Sequence, residues 1–121
     1  MAVKIKTKYG IVDIKNDVIS TVVGAAVTNN YGIVGMASKN QIRDNVNVIL
    51  GKDNYSKGVV VKQNHDNEIF IEVNVIVIYG IKISEVSRSV QSKVKYNLET
   101  MLGIKASAVN VVVQGVKVIN E

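Results

Sequence analysis

The clearest pattern along the chain is an alternation of residue types between positions 69 and 78. Every odd position there is isoleucine or valine, which predicts a β-strand with one wholly aliphatic face. The even positions are mixed, with polar residues in the middle and aliphatic residues at the C-terminal end. In chain order they are Phe70, Glu72, Asn74, Ile76 and Ile78. We therefore expect a strand that is buried on one side and more fully covered at one end of the other side.

Similar patterns predict the remaining strands. Three consecutive valines at 59–61 precede a polar stretch at 64–67, which indicates a hairpin leading into the long strand. Residues 3–14 are rich in β-forming residues and are interrupted by Tyr9 and Gly10, so they predict a hairpin or a bent strand. A short buried strand is expected at 32–37. The last strand alternates from Val109 to Val113, and Gly115 allows a bulge before it continues.

Two long segments have helical spacing of their apolar residues. The first follows Asn16, which is expected to cap it, and presents Ile19, Val23 and other aliphatic residues on one face. The second follows Ser84 as the expected cap and ends at Gly103. Its apolar stripe is Val86, Val90, Val94, Leu98 and Met101/Leu102, and its solvent side carries Arg88, Gln91, Ser92, Lys95 and Glu99. A weaker helix is predicted within 42–50.

The order of these elements is β-α-β-(α)-β-β-α-β. It predicts an α+β fold in which two main helices pack on one face of a mixed sheet. No linker or low-complexity segment interrupts residues 1–121, so we expect one domain. The opposite sheet face would then carry Phe70, Ile76, Ile78 and Val112. Because aliphatic surface of this extent is usually covered by a partner, we expect this face to mediate self-association.

The composition excludes several kinds of site. The 121 residues contain no cysteine, so disulfides, zinc–thiolate sites and cysteine nucleophiles are absent. His65 is the sole histidine and falls in the predicted hairpin turn, which suits a surface residue better than a metal ligand. We expect no catalytic, cofactor-binding or metal-binding residues. The N-terminus has no continuous apolar stretch and no run could span a bilayer, which favours a cytoplasmic protein without direct membrane insertion.

The net charge of +5 raises the alternative of a nucleic-acid-binding domain. The residues that would form a weak basic surface are Lys4, Lys6, Lys8, Arg88 and Lys95. The other lysines are scattered singly, and the chain has one phenylalanine and no tryptophan for base stacking. Nucleic-acid binding is therefore the less favoured interpretation of the charge.

Several blocks of sequence, taken together and in order, resemble the alkaline shock protein family of cell-envelope stress-response proteins from Gram-positive bacteria. The blocks are residues 10–19 (GIVDIKNDVI), 31–36 (YGIVGM), 57–61 (KGVVV), 77–86 (VIYGIKISEV), 90–94 (VQSKV), 101–103 (MLG) and 109–116 (VNVVVQGV). They cover nearly the whole chain. One departure is the turn at 79–84, where the family usually has a proline and this chain has none.

The resemblance implies a cytoplasmic, non-enzymatic protein. Together with the aliphatic outer sheet face, it favours a scaffold or interaction protein that forms homo-oligomers. Some family members lie at the inner face of the membrane through a membrane-protein anchor. Others are associated with fatty-acid synthesis, so a regulator of lipid-precursor enzymes is the alternative function. The family has no established catalytic residues, so the resemblance places none on this chain. The sequence does not decide between the envelope branch and the lipid branch.

Overall fold

The computed structural model describes residues 2–38 and 57–118. Over these ranges the chain forms six strands, two α-helices and one π-helical turn. They are β1 (Ala2–Thr7), β2 (Gly10–Lys15), α1 (Asn16–Thr28), β3 (Ile33–Met36), β4 (Val59–Gln63), β5 (Ile69–Ile78), α2 (Ile83–Asn97), the π-helical turn (Leu98–Leu102) and β6 (Ala106–Lys117). The predicted α+β class and the order of these elements are confirmed. The weak helix predicted within 42–50 lies outside the described residues.

The main sheet is organised around β5. β6 runs parallel to it along one edge, over the whole length of the strand. The other edge is shared by two antiparallel strands, with β4 beside the N-terminal half of β5 and β3 beside the C-terminal half. The sheet is therefore mixed, as predicted. The register shift that places Gly115 opposite Ile76 is the bulge expected near that glycine.

β1 and β2 form a separate two-stranded antiparallel sheet. The turn between them supports the hairpin interpretation of residues 3–14 over the bent strand. Val3 and Ile14 face each other across the ladder and are buried in the core, which attaches the base of the hairpin to the domain. The tip lies in solvent, where Tyr9 is 91% exposed and Ile11 65% exposed. The hairpin thus projects from the core.

The hydrophobic core lies between the inner face of β5 and the two helices. Its β5 members are the odd-numbered residues of the strand, which are at most 6% exposed. The main helix members are Ile19, Val23 and Val27 from α1, and Val86, Val90 and Val94 from α2. Because these residues form one cluster, both helices cover the same face of the sheet, as predicted.

The helix boundaries correct three details of the sequence interpretation. The N-cap of α1 is Lys15 and that of α2 is Lys82, and neither cap side chain hydrogen-bonds to its helix. Asn16 and Ser84 are therefore already helical. At the other end, Gly103 adopts the left-handed conformation expected of it, with φ 69°. Met101 is 65% exposed and does not belong to the apolar stripe, because the stripe continues from the buried Leu98 to Leu102, which packs against the core.

Candidate interaction surfaces

The even-numbered side chains of β5 and their partners on β6 form the outer face of the sheet, opposite the two helices. Phe70 pairs with Ala108, Asn74 with Val112, and Ile76 with Gly115. Phe70, Ile76, Ile78 and Val112 are all half-buried and lie outside the core cluster. The four residues predicted from sequence therefore share one face.

These four residues form two apolar areas rather than one. Ile76, Ile78 and Val112 lie near the C-terminal half of β5, while Phe70 lies about 20 Å from Ile76, given a rise of about 3.3 Å per strand residue. Two polar positions, Glu72 and Asn74, separate them on the same strand. The larger aliphatic area is thus at the end of β5 nearest β3.

Asn74 lies between the two apolar areas, and its side chain is hydrogen-bonded to other residues of the same chain. Its side-chain amide donates to the Gly58 carbonyl at 3.2 Å and lies 3.4 Å from a carboxylate oxygen of Glu72. Its Oδ1 accepts a hydrogen bond from Gln114 Nε2 at 2.8 Å. Asn74 is consequently only 1% exposed although it lies on the outer face. The Asn74 amide would therefore keep its hydrogen bonds when a partner covers this face.

The dimensions of the outer face limit the affinity that it can provide. Three strand widths of about 4.8 Å and ten residues of about 3.3 Å give a projected area of roughly 450 Å². A stable protein–protein interface buries about 800 Å² on each partner. Association through this face alone therefore falls in the weak range.

The basic residues predicted from sequence lie in two separate places. Lys4, Lys6 and Lys8 are exposed on the projecting hairpin, where Lys8 Nζ lies 5.5 Å from the centre of the Tyr9 ring. Lys4 and Lys6, together with Lys105, line an open groove beside the start of β5. Arg88 and Lys95 are on α2 and do not line that groove. The five residues thus do not form the continuous basic stripe typical of a nucleic-acid site.

Arg88 and Lys95 line a second groove, of about 410 Å³, between α2 and the beginning of β6. Gln91 and Ser92 of the helix and Ser107 to Asn110 of the strand complete it. Gln91 Nε2 donates to the Val109 carbonyl at 2.9 Å. The sequence placed the four helix residues on the solvent side of α2, but did not indicate that a strand edge lies beside them.

His65 is exposed in the turn between β4 and β5, as predicted. This turn is held by Asn64 Oδ1, which accepts hydrogen bonds from the backbone N–H groups of Asp66 and Glu68 at 3.0 and 2.9 Å. In the part of the chain that the structure describes, no three histidine or acidic side chains approach closely enough to hold a metal ion.

Within residues 2–38 and 57–118, neither helix combines the length and the apolar character that crossing a bilayer requires.

Comparison with known proteins identifies relatives over the full length of the chain. The chain is 52% identical to uncharacterized protein Spy1614 of Streptococcus pyogenes over 121 residues, covering 100% of this chain and 99% of that protein. It is 51% identical to uncharacterized protein YloU of Bacillus subtilis, covering 99% of each. Uncharacterized protein YqhY of Bacillus subtilis is 30% identical over 111 residues, which are 92% of this chain and 80% of that protein. No solved structure matches the chain significantly.

The model of the alkaline shock protein family, which is described as having a cell envelope-related function, matches residues 4–118. This match confirms the resemblance drawn from the sequence blocks. The chain belongs to the alkaline shock protein family, whose function is related to the cell envelope.

Proposed function

We propose that this protein is a non-enzymatic scaffold of the cell envelope that acts by self-association and by binding protein partners. The observation that carries the proposal is the outer face of the sheet. It presents Ile76, Ile78 and Val112 on the side of the sheet away from both helices. The Asn74 amide at its centre is already hydrogen-bonded within the chain.

The physical argument compares the gain and the cost of covering this face. Removing half-buried aliphatic side chains from water is favourable by about 25 cal/mol per Å². The usual cost of covering polar groups is reduced at Asn74, because its partners come from the same chain. A second copy of the chain is the simplest cover, since the same face then supplies both sides of a two-fold interface. Its limited area predicts a weak, concentration-dependent assembly.

The family's link to the envelope requires a route to the membrane. The described helices do not provide a span, so we propose that a membrane-protein partner anchors the assembly at the inner membrane face. Binding to a lipid-synthesis enzyme is the alternative partner within the same interaction role. Nucleic-acid binding is less well supported, because Lys4, Lys6 and Lys8 lie apart from the groove that holds Arg88 and Lys95.

The test is sedimentation of the wild type and of Ile76→Lys over a range of concentrations up to the high micromolar. The wild type should associate. The dissociation constant for self-association of the variant should be at least about tenfold higher than that of the wild type, because the interface must then bury an unpaired ammonium. Circular dichroism should show an unchanged fold, since a half-buried position lets the lysine extend to solvent.

The matched control is Ile11→Lys, which makes the same substitution at an exposed position on the hairpin. It should associate as the wild type does. A wild type that stays monomeric at high micromolar concentration would contradict self-association. Equal dissociation of both variants would instead assign the effect to added positive charge.

A further inference from the structure

We propose that the edge of β6 beside α2 binds an extended acidic peptide segment of a partner protein, which adds to the sheet as a further strand. This inference names how the proposed scaffold would recognise a protein partner, so it rests on the partner-binding part of the proposed function. It does not depend on self-association, because Ile76 and Ile78 of the outer face lie outside the groove.

Within the described residues β6 pairs with β5 alone, and the Gln91 side chain is the α2 group that hydrogen-bonds to its other edge, at Val109. A strand with one neighbour presents unpaired backbone N–H and C=O groups on its other side, and proteins usually block such edges with charges or proline. Positions 106–116 contain no charged residue and no proline. The register with β5 is regular from Ala108 to Val113, so this part of the edge is suited to pairing.

The groove beside this edge has hydrogen-bonding and charged groups in place. Gln91 Nε2 donates to the Val109 carbonyl, so this acceptor lies on the side of β6 that faces α2, and an incoming peptide N–H would replace the Gln91 amide there. Arg88 and Lys95 are two helical turns apart, about 10 Å along α2. Neither side chain makes an ion pair with any other residue of the described ranges.

The positive charge of the groove indicates which kind of segment would bind there. Two cations without acidic partners among the described residues favour a segment that carries carboxylates, because each pair formed across the groove adds a charge-assisted hydrogen bond. A second copy of β6 would bring no acidic residue between positions 106 and 117. Pairing between two copies of this edge would therefore leave Arg88 and Lys95 unmatched. An acidic segment of another protein fits the groove better.

Strand addition also predicts the pattern of the bound segment. Side chains of a strand alternate between the two faces of the sheet. Those on the side of α2 would meet Arg88 and Lys95, so they should be acidic. Those on the other side would extend the outer face next to Ala108 and Val112, so they should be aliphatic. The expected ligand alternates glutamate or aspartate with valine or isoleucine.

The experiment measures fluorescence anisotropy of a labelled synthetic octapeptide that alternates glutamate with valine. The full chain should bind it, and Arg88→Glu combined with Lys95→Glu should weaken binding at least about tenfold, since two charge-assisted contacts become repulsive. Lys4→Glu combined with Lys6→Glu makes the same change of charge on the hairpin. That control should alter the affinity less than about twofold, since surface charges at a distance are screened by salt.

A second peptide distinguishes strand addition from charge attraction. It has the same side chains, with alternate backbone nitrogens methylated so that they cannot donate hydrogen bonds. It should bind at least about tenfold more weakly, because the backbone supplies the affinity in strand addition. Equal binding of both peptides, equal loss in both pairs of variants, or no binding by the wild type would overturn the proposal.

The Ile76→Lys variant separates this inference from self-association. Its affinity for the octapeptide should equal that of the wild type, because Ile76 lies outside the groove. Binding that is lost together with assembly would show that the peptide site requires the oligomer and would overturn an independent groove. Assembly without peptide binding would refute the groove alone and leave the scaffold proposal in place.

Discussion

On the inner face of β5, Ile71, Val73 and Val75 lie under the two helices with no exposed surface, whereas Phe70 and Ile76 on the outer face keep part of their surface in solvent. Both faces belong to one ten-residue strand. The inner face is completed by the chain itself, and its residues serve stability. The outer face has aliphatic residues on the side away from both helices. The aliphatic residues of the inner face are thus accounted for by folding, and those of the outer face are the ones for which we propose a role in association.

The largest expected difference between the two faces is in the free energy of unfolding. Ile71→Ala should lower it by about 2–5 kcal/mol, because a fully buried side chain leaves a cavity in a closed core. Ile78→Ala removes the same atoms from a half-buried position and should cost about 1 kcal/mol. Urea unfolding followed by circular dichroism measures both.

Repeating the two measurements over a range of protein concentrations distinguishes contacts within one chain from contacts between chains. The cost of Ile71→Ala should not change with concentration, since its contacts are within one chain. The cost of Ile78→Ala should rise as the wild type associates, because association adds to apparent stability by mass action. If both variants lose the same free energy of unfolding at low protein concentration, the two faces do not differ as described.

A smaller effect is expected at the polar centre of the outer face. Asn74→Ala removes the partner of the Gly58 carbonyl and of the Gln114 amide, and should lower the free energy of unfolding by about 1–3 kcal/mol. Asn110→Ala, on an exposed position of β6, should change it by less than about 0.5 kcal/mol. If Asn74→Ala costs no more than Asn110→Ala, the hydrogen bonds of Asn74 do not stabilise the face as described.

The strands of the fold could be predicted from sequence because alternation is a local signal. The odd positions of β5 identify the buried face without any knowledge of its neighbours. Helix starts were less predictable. Asn16 and Ser84 are good caps by residue type, yet the backbone leaves its extended conformation at Lys15 and Lys82, one and two residues earlier. Helix position here follows packing of the apolar stripes rather than the preference of a capping side chain.

The interaction surfaces were predictable only in part. Phe70, Ile76, Ile78 and Val112 could be assigned to one face, since alternation and strand order are enough for that. The burial of Asn74 could not be predicted, because its partner Gln114 is 40 positions away. Predicting the groove beside α2 would require knowing that β6 pairs only with β5 among the described strands and that Val109 lies next to Gln91. Sequence spacing does not contain that information.

The most direct test of the central claim uses the absence of cysteine from the chain. A single cysteine is introduced by Val112→Cys on the outer face or by Thr21→Cys on the exposed side of α1, and a short bismaleimide is added at high micromolar protein concentration. If the outer face is the self-association surface, covalent dimers should accumulate for Val112→Cys and remain at the background level for Thr21→Cys. Equal cross-linking at both positions, or none at Val112→Cys while the wild type sediments as an oligomer, would contradict the account.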